Sequence, residues 1–299
     1  MSATPAESAP VVVGLGEVLW DEFADGRRPG GAPANVAYHS CMLGLDGRIA
    51  SRVGRDQDGD LLVERLRQTA LDVELIQTDA ELSTGRVTVE LDDGQPTYTI
   101  HPAAWDNIEA TPGLLDVAGG AAAICFGTLA QRSDESRKAI QSCLEATAGL
   151  KVYDVNLRQS FYSKPVIEAS LQTADVTKLN HEEAAVLAKM FDLPDGDGFG
   201  PALREFASLD VVCLTHGADG CELIGESRVF EASEPVEVAD AVGAGDAFTA
   251  ALTYATLQDW PLANRARFAN AVGGLVASKR GAMPDTADRV DELKRQHAP

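Results

Sequence analysis

The chain is short of positive charge: it has seven lysines in 299 residues, and 25 Lys+Arg against 46 Asp+Glu leave a formal net charge of -21. Such a balance excludes a broad nucleic-acid surface, because that partner requires clustered basic residues to displace counterions. Any bound anion must therefore be held by local structure. The acidic excess also fits a protein working in a salt-rich cytoplasm. No apolar run approaches the length of a membrane span, so no membrane partner is expected. Five cysteines, Cys41, Cys125, Cys143, Cys213 and Cys221, show no paired metal spacing. They read as small buried thiols in the reduced state, and the scattered histidines offer no zinc spacing either. Met1 to Pro10 has neither a basic start nor a hydrophobic segment, so it reads as a short disordered lead and the expected location is cytoplasmic.

What the chain does have is a repeated strand-then-helix rhythm. Val11-Val12-Val13 forms a buried-strand pattern, and further strands are expected at 121–126, 151–155, 175–179 and 211–215. Each of the later strands ends in polar or glycine-rich sequence. In open parallel sheets ligands bind at the carboxyl edge, so these endings point to one shared crevice. Residues 86–91 and 97–100, separated by Asp92-Asp93-Gly94-Gln95-Pro96, read as a hairpin that interrupts the rhythm. Together with the extended stretch at 20–23 it predicts a small sheet covering a site. No linker, low-complexity tract or internal repeat divides the chain.

Three motifs carry chemistry. Asp240-Ala241-Val242-Gly243-Ala244-Gly245-Asp246 opens into a helix in which Phe248, Ala251, Leu252 and Ala255 recur at helical spacing. Unpaired first-turn amides, a positive helix end and small residues favour an anion there. Asp246 is then a candidate base, although a glycine turn with a capping Asp explains the same residues. Gly30-Gly31-Ala32-Pro33-Ala34-Asn35 reads as a glycine turn into a second helix, with Asn35 in its first turns, where an amide can donate to and accept from sugar hydroxyls or simply face solvent. Gly14-Leu15-Gly16 begins like a dinucleotide fingerprint, but Leu19 stands at the third glycine position, which disfavours a nicotinamide oxidoreductase. Glu17 and Asp21 lie instead at the carboxyl edge of the first strand, able to accept hydrogen bonds from a polyol.

These motifs, in this order, resemble the ribokinase-type (PfkB-type) sugar kinases. The segment Gly30 to Ala37 is similar to the family's amino-terminal sugar-side signature and Asp240 to Asp246 to its carboxyl-terminal catalytic signature. Gly54-Arg55-Asp56-Gln57-Asp58-Gly59, Asn180-His181-Glu182-Glu183 and Thr215-His216-Gly217-Ala218-Asp219-Gly220 fall between them as in the family. The resemblance spans Val11 to about Pro284. It implies a single α/β domain over 1–299, a three-layer α/β/α ribokinase-like fold with a mainly parallel central sheet and a small β-sheet lid from segments near 18–29 and 85–105. It implies Asp246 as the base toward a sugar hydroxymethyl group and the Gly243, Ala244 and Gly245 amides as an anion hole. Glu17, Asp21, Gly30, Gly31, Asn35 and Arg158 would line the sugar site with Asp246. ATP would meet Asn180, Thr215, Gly217, Gly245 and Asn270, and Glu183 would hold Mg2+ through water. Asp240 would belong to a loop binding a K+-type ion, with Ala241 where threonine is usual, which leaves the backbone ligands in place.

Within the family, ribokinases proper carry a lysine after the paired glycines, whereas Ala32-Pro33 and the Asp154-Val155-Asn156-Leu157-Arg158 element resemble fructokinases. The resemblance thus implies an ATP-dependent fructokinase using Mg2+. The alternatives are a 2-keto-3-deoxygluconate kinase, ribokinase or nucleoside kinase, or a non-catalytic sugar or nucleotide sensor. A homodimer through the lid is the expected oligomer, with Tyr98 and Ile100 available either to it or to the chain's own substrate.

Overall fold

In β1 (Val11–Leu15), Val12 and Val13 point to opposite sides and both are fully buried, so this strand is covered on both faces. The same alternation recurs in β8 (Ala123–Gly127), β9 (Leu150–Asp154), β10 (Val176–Asn180) and β11 (Val211–Thr215). Cys125, Val152 and Cys213 join one core, and Phe126, Tyr153 and Val212 the other. Strands buried on both faces need parallel neighbours linked by helices. That requirement is met in the structure, a computed structural model that describes residues 8–23, 26–92 and 95–299; the side chains of residues 89–98 lie outside that description.

Among the described residues the large sheet has nine strands. It continues through β4 (Asp46–Gly54) and β5 (Ile76–Asp79) beyond β1, and through β12 (Cys221–Ile224) and β13 (Arg228–Glu231) beyond β11. The order is β13-β12-β11-β10-β9-β8-β1-β4-β5, with the strands from β11 to β5 parallel and β12 and β13 forming an antiparallel edge. Helices α1 (Ala32–Met42), α8 (Ala244–Leu257), α9 (Leu262–Ala277) and α10 (Ala287–His297) contribute to the core on one face. On the other lie α3 (Pro112–Gly120), α4 (Asp134–Ala146), α5 (Lys164–Thr173), α6 (His181–Phe191) and α7 (Phe199–Ala207). A third cluster joins α2 (Gln57–Arg67) to Ile49, Val53 and Trp20. The three-layer arrangement is therefore the one expected.

A second sheet, β3-β2-β6-β7, is built from β2 (Leu19–Phe23), β3 (Gly26–Gly30), β6 (Gly85–Asp92) and β7 (Gln95–Ile100). The expected hairpin forms as β6 and β7, and β2 adds to it in parallel. Strand β3 was not expected from its own residues, since Gly-Arg-Arg-Pro-Gly has poor strand propensity. Pairing with β2 creates it, and Arg27 stacks 4.4 Å from the Trp20 ring while bonding Asp58 at 2.5 Å. The glycine within β1 also has a packing explanation. A side chain on Gly14 would overlap the Pro33 carbonyl, so glycine lets α1 begin directly on β1, and the chain passes to β2 rather than to a dinucleotide-binding helix.

Candidate active site

Small residues let α1 and α8 lie side by side, so their amino-terminal turns open together at the carboxyl edge of β1 and β9. Asn35 in the first turn of α1 donates from Nδ2 to Asp246 Oδ2 at 2.7 Å, joining residues 211 positions apart. Gly243 caps α8 in the left-handed region (φ 81), and a Cβ there would stand 2.6 Å from the Ala282 carbonyl oxygen. That turn is held from behind. Buried His39, its pKa lowered to about 4 mainly by burial, donates from Nε2 to the Ala282 carbonyl at 2.9 Å. Gly243→Ala is expected to destabilise the fold by about 1–2 kcal/mol from backbone conformation alone, before the clash is counted. A thermal melt of the purified variant checks this.

The two helix starts border a cleft of about 500 Å³ whose lining includes Glu17, Asp21, Asn35, Arg158, Gly245 and Asp246. Glu17 is 4% exposed and its Oε2 has no hydrogen-bond partner among the described residues. Burial lifts its pKa to about 7, against the smaller opposing pulls of backbone amides and Arg158. Half-buried Asp21 is lifted to about 6, chiefly by burial. A side chain on Gly30 would overlap the Asp21 carboxylate, so that glycine makes room for the acid, and one on Gly31 (φ 112) would overlap the Glu17 backbone carbonyl, so that glycine lets the two chain segments meet. Asp246 is half-buried; desolvation and then Asp154 raise its pKa to about 6, while Asn35, Lys178 and Arg158 pull it back. Poised between carboxylate and acid near neutrality, it can take a proton from a hydroxyl.

The loop after β9 turns at Asn156, which adopts φ 39, and carries Arg158 into the cleft wall. Arg158 is exposed, with Nη1 donating to the Leu157 carbonyl at 3.3 Å. Glu183 fixes this loop. Its Oε1 accepts the Leu157 amide at 2.8 Å and its Oε2 the Asn180 amide at 2.9 Å, while Asn180 Oδ1 accepts the Glu183 amide at 2.9 Å. The Asn180–Glu183 pair is thus a reciprocal cap on α6 as well as a brace for Arg158. Burial and then Asp154 raise the Glu183 pKa.

Other expected residues stand apart. Asn180 and Thr215 are register partners on β10 and β11, and Gly217 (φ 60) follows; these three lie at the neighbouring sheet edge, not in the lining of the Asp246 cleft. Asn270 on α9 donates to the Glu231 carbonyl at 2.9 Å and lines a separate groove of about 300 Å³ with Val236, Gly274 and Ser278. Asp240 accepts the Val242 amide at 3.0 Å and the Gly281 amide at 3.1 Å, which joins its loop to the turn at 278–281. Ile100 is 8% exposed and lines this chain's own cleft with Val87; the side chain of Tyr98 lies outside the described residues. Two side chains escaped the sequence reading, His39 and Lys178. Lys178 is in the cleft lining and carries no local signal, since it stands in Val-Thr-Lys-Leu-Asn beside other polar residues.

A glycine-capped helix start beside a carboxylate of raised pKa fits one class, the phosphotransferases with an alcohol group as acceptor. Within that class the chain belongs to the pfkB family carbohydrate kinases, whose family model matches residues 11–289. It is 32% identical over 279 residues to a sugar kinase of Pyrococcus horikoshii, covering 89% of this chain and 86% of that protein. It is 30% identical over 305 residues to a fructokinase of Klebsiella pneumoniae, covering 94% and 97%. The solved structure of the Pyrococcus horikoshii sugar kinase in complex with ATP aligns with a TM-score of 0.81 at 28% identity, over 95% of this chain and 99% of that one. A fructokinase from Xylella fastidiosa with bound ATP aligns with a TM-score of 0.84 at 21% identity, over 96% and 98%, and bears on the fold. The fold is ribokinase-like.

Proposed function

We propose that this carbohydrate kinase is an ATP-dependent fructokinase, transferring the γ-phosphate of ATP to a sugar hydroxymethyl group. The Asn35–Asp246 contact at 2.7 Å, inside the cleft that also holds Glu17, Asp21 and Arg158, carries the assignment. Asp246 takes the hydroxymethyl proton as the sugar oxygen attacks the γ-phosphorus in line. The bond to the bridging oxygen breaks and ADP leaves. Amides of Gly243, Ala244 and Gly245 receive the charge on the moving phosphoryl group, and Asn35 holds the Asp246 carboxylate toward the hydroxyl. Asp21, Glu17 and Arg158 bind the remaining sugar oxygens. Val87 and Ile100 of the small sheet cover the sugar and exclude water. The groove at Asn270 suits the nucleotide base, with the Thr215 to Gly217 edge leading toward the cleft.

Mg2+ would neutralise polyphosphate charge. Among the described residues no cluster of three His, Cys, Asp or Glu forms a metal cage, and the Glu183 oxygens already accept amides. That donor set suits an ion carried on nucleotide oxygens and reached by Glu183 and Asn180 through water. A K+-type ion would take backbone carbonyls beside Asp240; equal rates in potassium and in a bulky organic cation at matched ionic strength would remove it.

Fructose is favoured by Ala32-Pro33 after the paired glycines and by the full-length similarity to the Klebsiella pneumoniae fructokinase. One observation favours a second substrate class: the Arg158 guanidinium in the cleft wall fits a sugar acid such as 2-keto-3-deoxygluconate. A panel of fructose, ribose, 2-keto-3-deoxygluconate and nucleosides, coupled to ADP release, separates these. The highest kcat/KM is expected with fructose. A sugar acid ranking first would transfer the assignment to the second reading, and no ADP with any of them would remove the kinase reading.

A further inference from the structure

Apart from Arg158 on the sugar side, the anion turn at Gly243 to Gly245 offers only backbone amides from its own loop, which supply partial charges to a group carrying full ones. A full cation nevertheless stands against it. Lys178 on β10 is the register partner of Asp154 on β9, and both side chains are directed beneath the first turn of α8. Their exposures are 12% and 9%, and Nζ lies 3.2 Å from Asp154 Oδ1 and 3.0 Å from Oδ2. Thr249, one turn along α8, has Oγ1 at 3.0 Å from both Asp154 Oδ2 and the Gly245 carbonyl, its one hydrogen shared between them. The ammonium is thereby tied to the helix that begins the anion turn.

Two features argue that this cation faces a ligand. Lys178 lines the cleft beside Gly245 and Asp246, and a Cβ on Gly245 would stand 3.3 Å from its Nζ, so glycine leaves the ammonium uncovered. An ammonium has three N–H donors, and among the described residues Asp154 engages it through two oxygens, leaving one for the cleft. Stability gives no comparable reason for the pair. Neighbouring positions on this face of β9 and β10 are Val152 and Val176, and a buried ion pair is commonly no better than apolar packing.

We propose that Lys178 is a cationic ligand of the phosphoryl group in transfer, with Asp154 and Thr249 as its positioning residues. This rests on the kinase reading above. In a water-poor cleft such a charge stabilises the transition state without reorganisation. It also favours the carboxylate form of Asp246, which is faced in addition by Asp154, Arg158, Asn35 and, across the cleft, Glu17.

The test uses Lys178→Met, Lys178→Arg and Asp154→Asn in the full chain, with kcat, KM for sugar and ATP, the pH profile and thermal melts. Lys178→Met is expected to lose about 10- to 100-fold in kcat, the range for a hydrogen bond to a charged group, with little change in sugar KM. Lys178→Arg should recover part of that loss. The acid limb of the rate profile should move up in Lys178→Met, which loses a favourable cation, and down in Asp154→Asn, which loses a repelling carboxylate. Wild-type kcat in folded Lys178→Met overturns the proposal, as does a loss matched by the unfolded fraction. If the Met variant does not fold, wild-type kcat in folded Asp154→Asn, which no longer holds the ammonium in place, overturns it equally. Failure of the kinase reading is distinguishable, because the wild-type chain would then release no ADP with any sugar.

Discussion

Asp246→Asn is expected to lower turnover by about 10²- to 10⁴-fold, the range for a positioned acid or base, while leaving the chain folded and able to bind ATP. The substitution is nearly isosteric, so the turn at Gly243 and the packing of α8 on α1 have no reason to change. Asn35 can still donate to the amide oxygen at position 246. What disappears is the capacity to take a proton from the attacking hydroxyl. Removing a half-buried carboxylate whose pKa is lifted to about 6 by desolvation also relieves rather than creates an electrostatic cost near pH 8. Steady-state ADP release beside calorimetric ATP titration makes the comparison, and near-normal turnover would remove Asp246 as the base. In the wild-type enzyme kcat/KM should fall on the acid side with a midpoint near 6. Asp21 and Glu17 titrate in the same cleft, so the observed limb belongs to the group of acids rather than to one of them.

Glu17→Gln is expected to make the ligand-free protein more stable at pH 8 by about 3 kcal/mol and to weaken sugar binding. Burial raises the Glu17 pKa from 4.5 to about 7, so the folded chain holds that proton more tightly than the unfolded chain. The contribution of protonated Glu17 to stability is therefore fully present below about 4.5 and is lost as pH rises through about 7. At pH 8 the wild-type chain must keep an ionised carboxylate buried, with Oε2 lacking a partner among the described residues. Glutamine carries no such charge. Denaturant unfolding of both proteins at pH 8 and pH 4.5 checks the sign, since the difference should be large at the first and nearly absent at the second. A variant no more stable at pH 8 would mean that the carboxylate is solvated. Sugar should reverse the order, because its hydroxyls can donate to the Glu17 carboxylate at Oε2.

Much of the fold is legible in short-range patterns. The strands at 211–215 and around 151–155 and 175–179 follow from runs of β-branched and aliphatic residues between polar endings, and the hairpin at 85–100 follows from the turn residues between its arms. Strand β3 has no signal in its own residues, which resist the strand state until pairing with β2 imposes it; only the resemblance, with its lid segment near 18–29, reaches it. The β12–β13 edge escapes notice because four-residue strands leave too little periodicity to read. At the site, Asp246 and Asn35 are legible because each sits at a helix start after glycines, Glu17 and Asp21 because they follow the first strand, and Arg158 through the Asp154 to Arg158 element that resembles fructokinases. Lys178 and His39 have no local signature. Their chemistry comes from what lies across the sheet or the helix pair, namely Asp154 and the Ala282 carbonyl.

By itself, the order of amino acids determined the turns, the helix starts and the alternating burial of the strands, because these depend on backbone preference and hydrophobic period over a few residues. Only tertiary structure decided that Asn35 meets Asp246 across 211 positions, that Glu17 is buried with Oε2 unpartnered among the described residues, and that one of seven lysines stands uncovered beside Gly245. Those outcomes depend on which helix packs on which strand, and charge and desolvation act through space rather than along the chain.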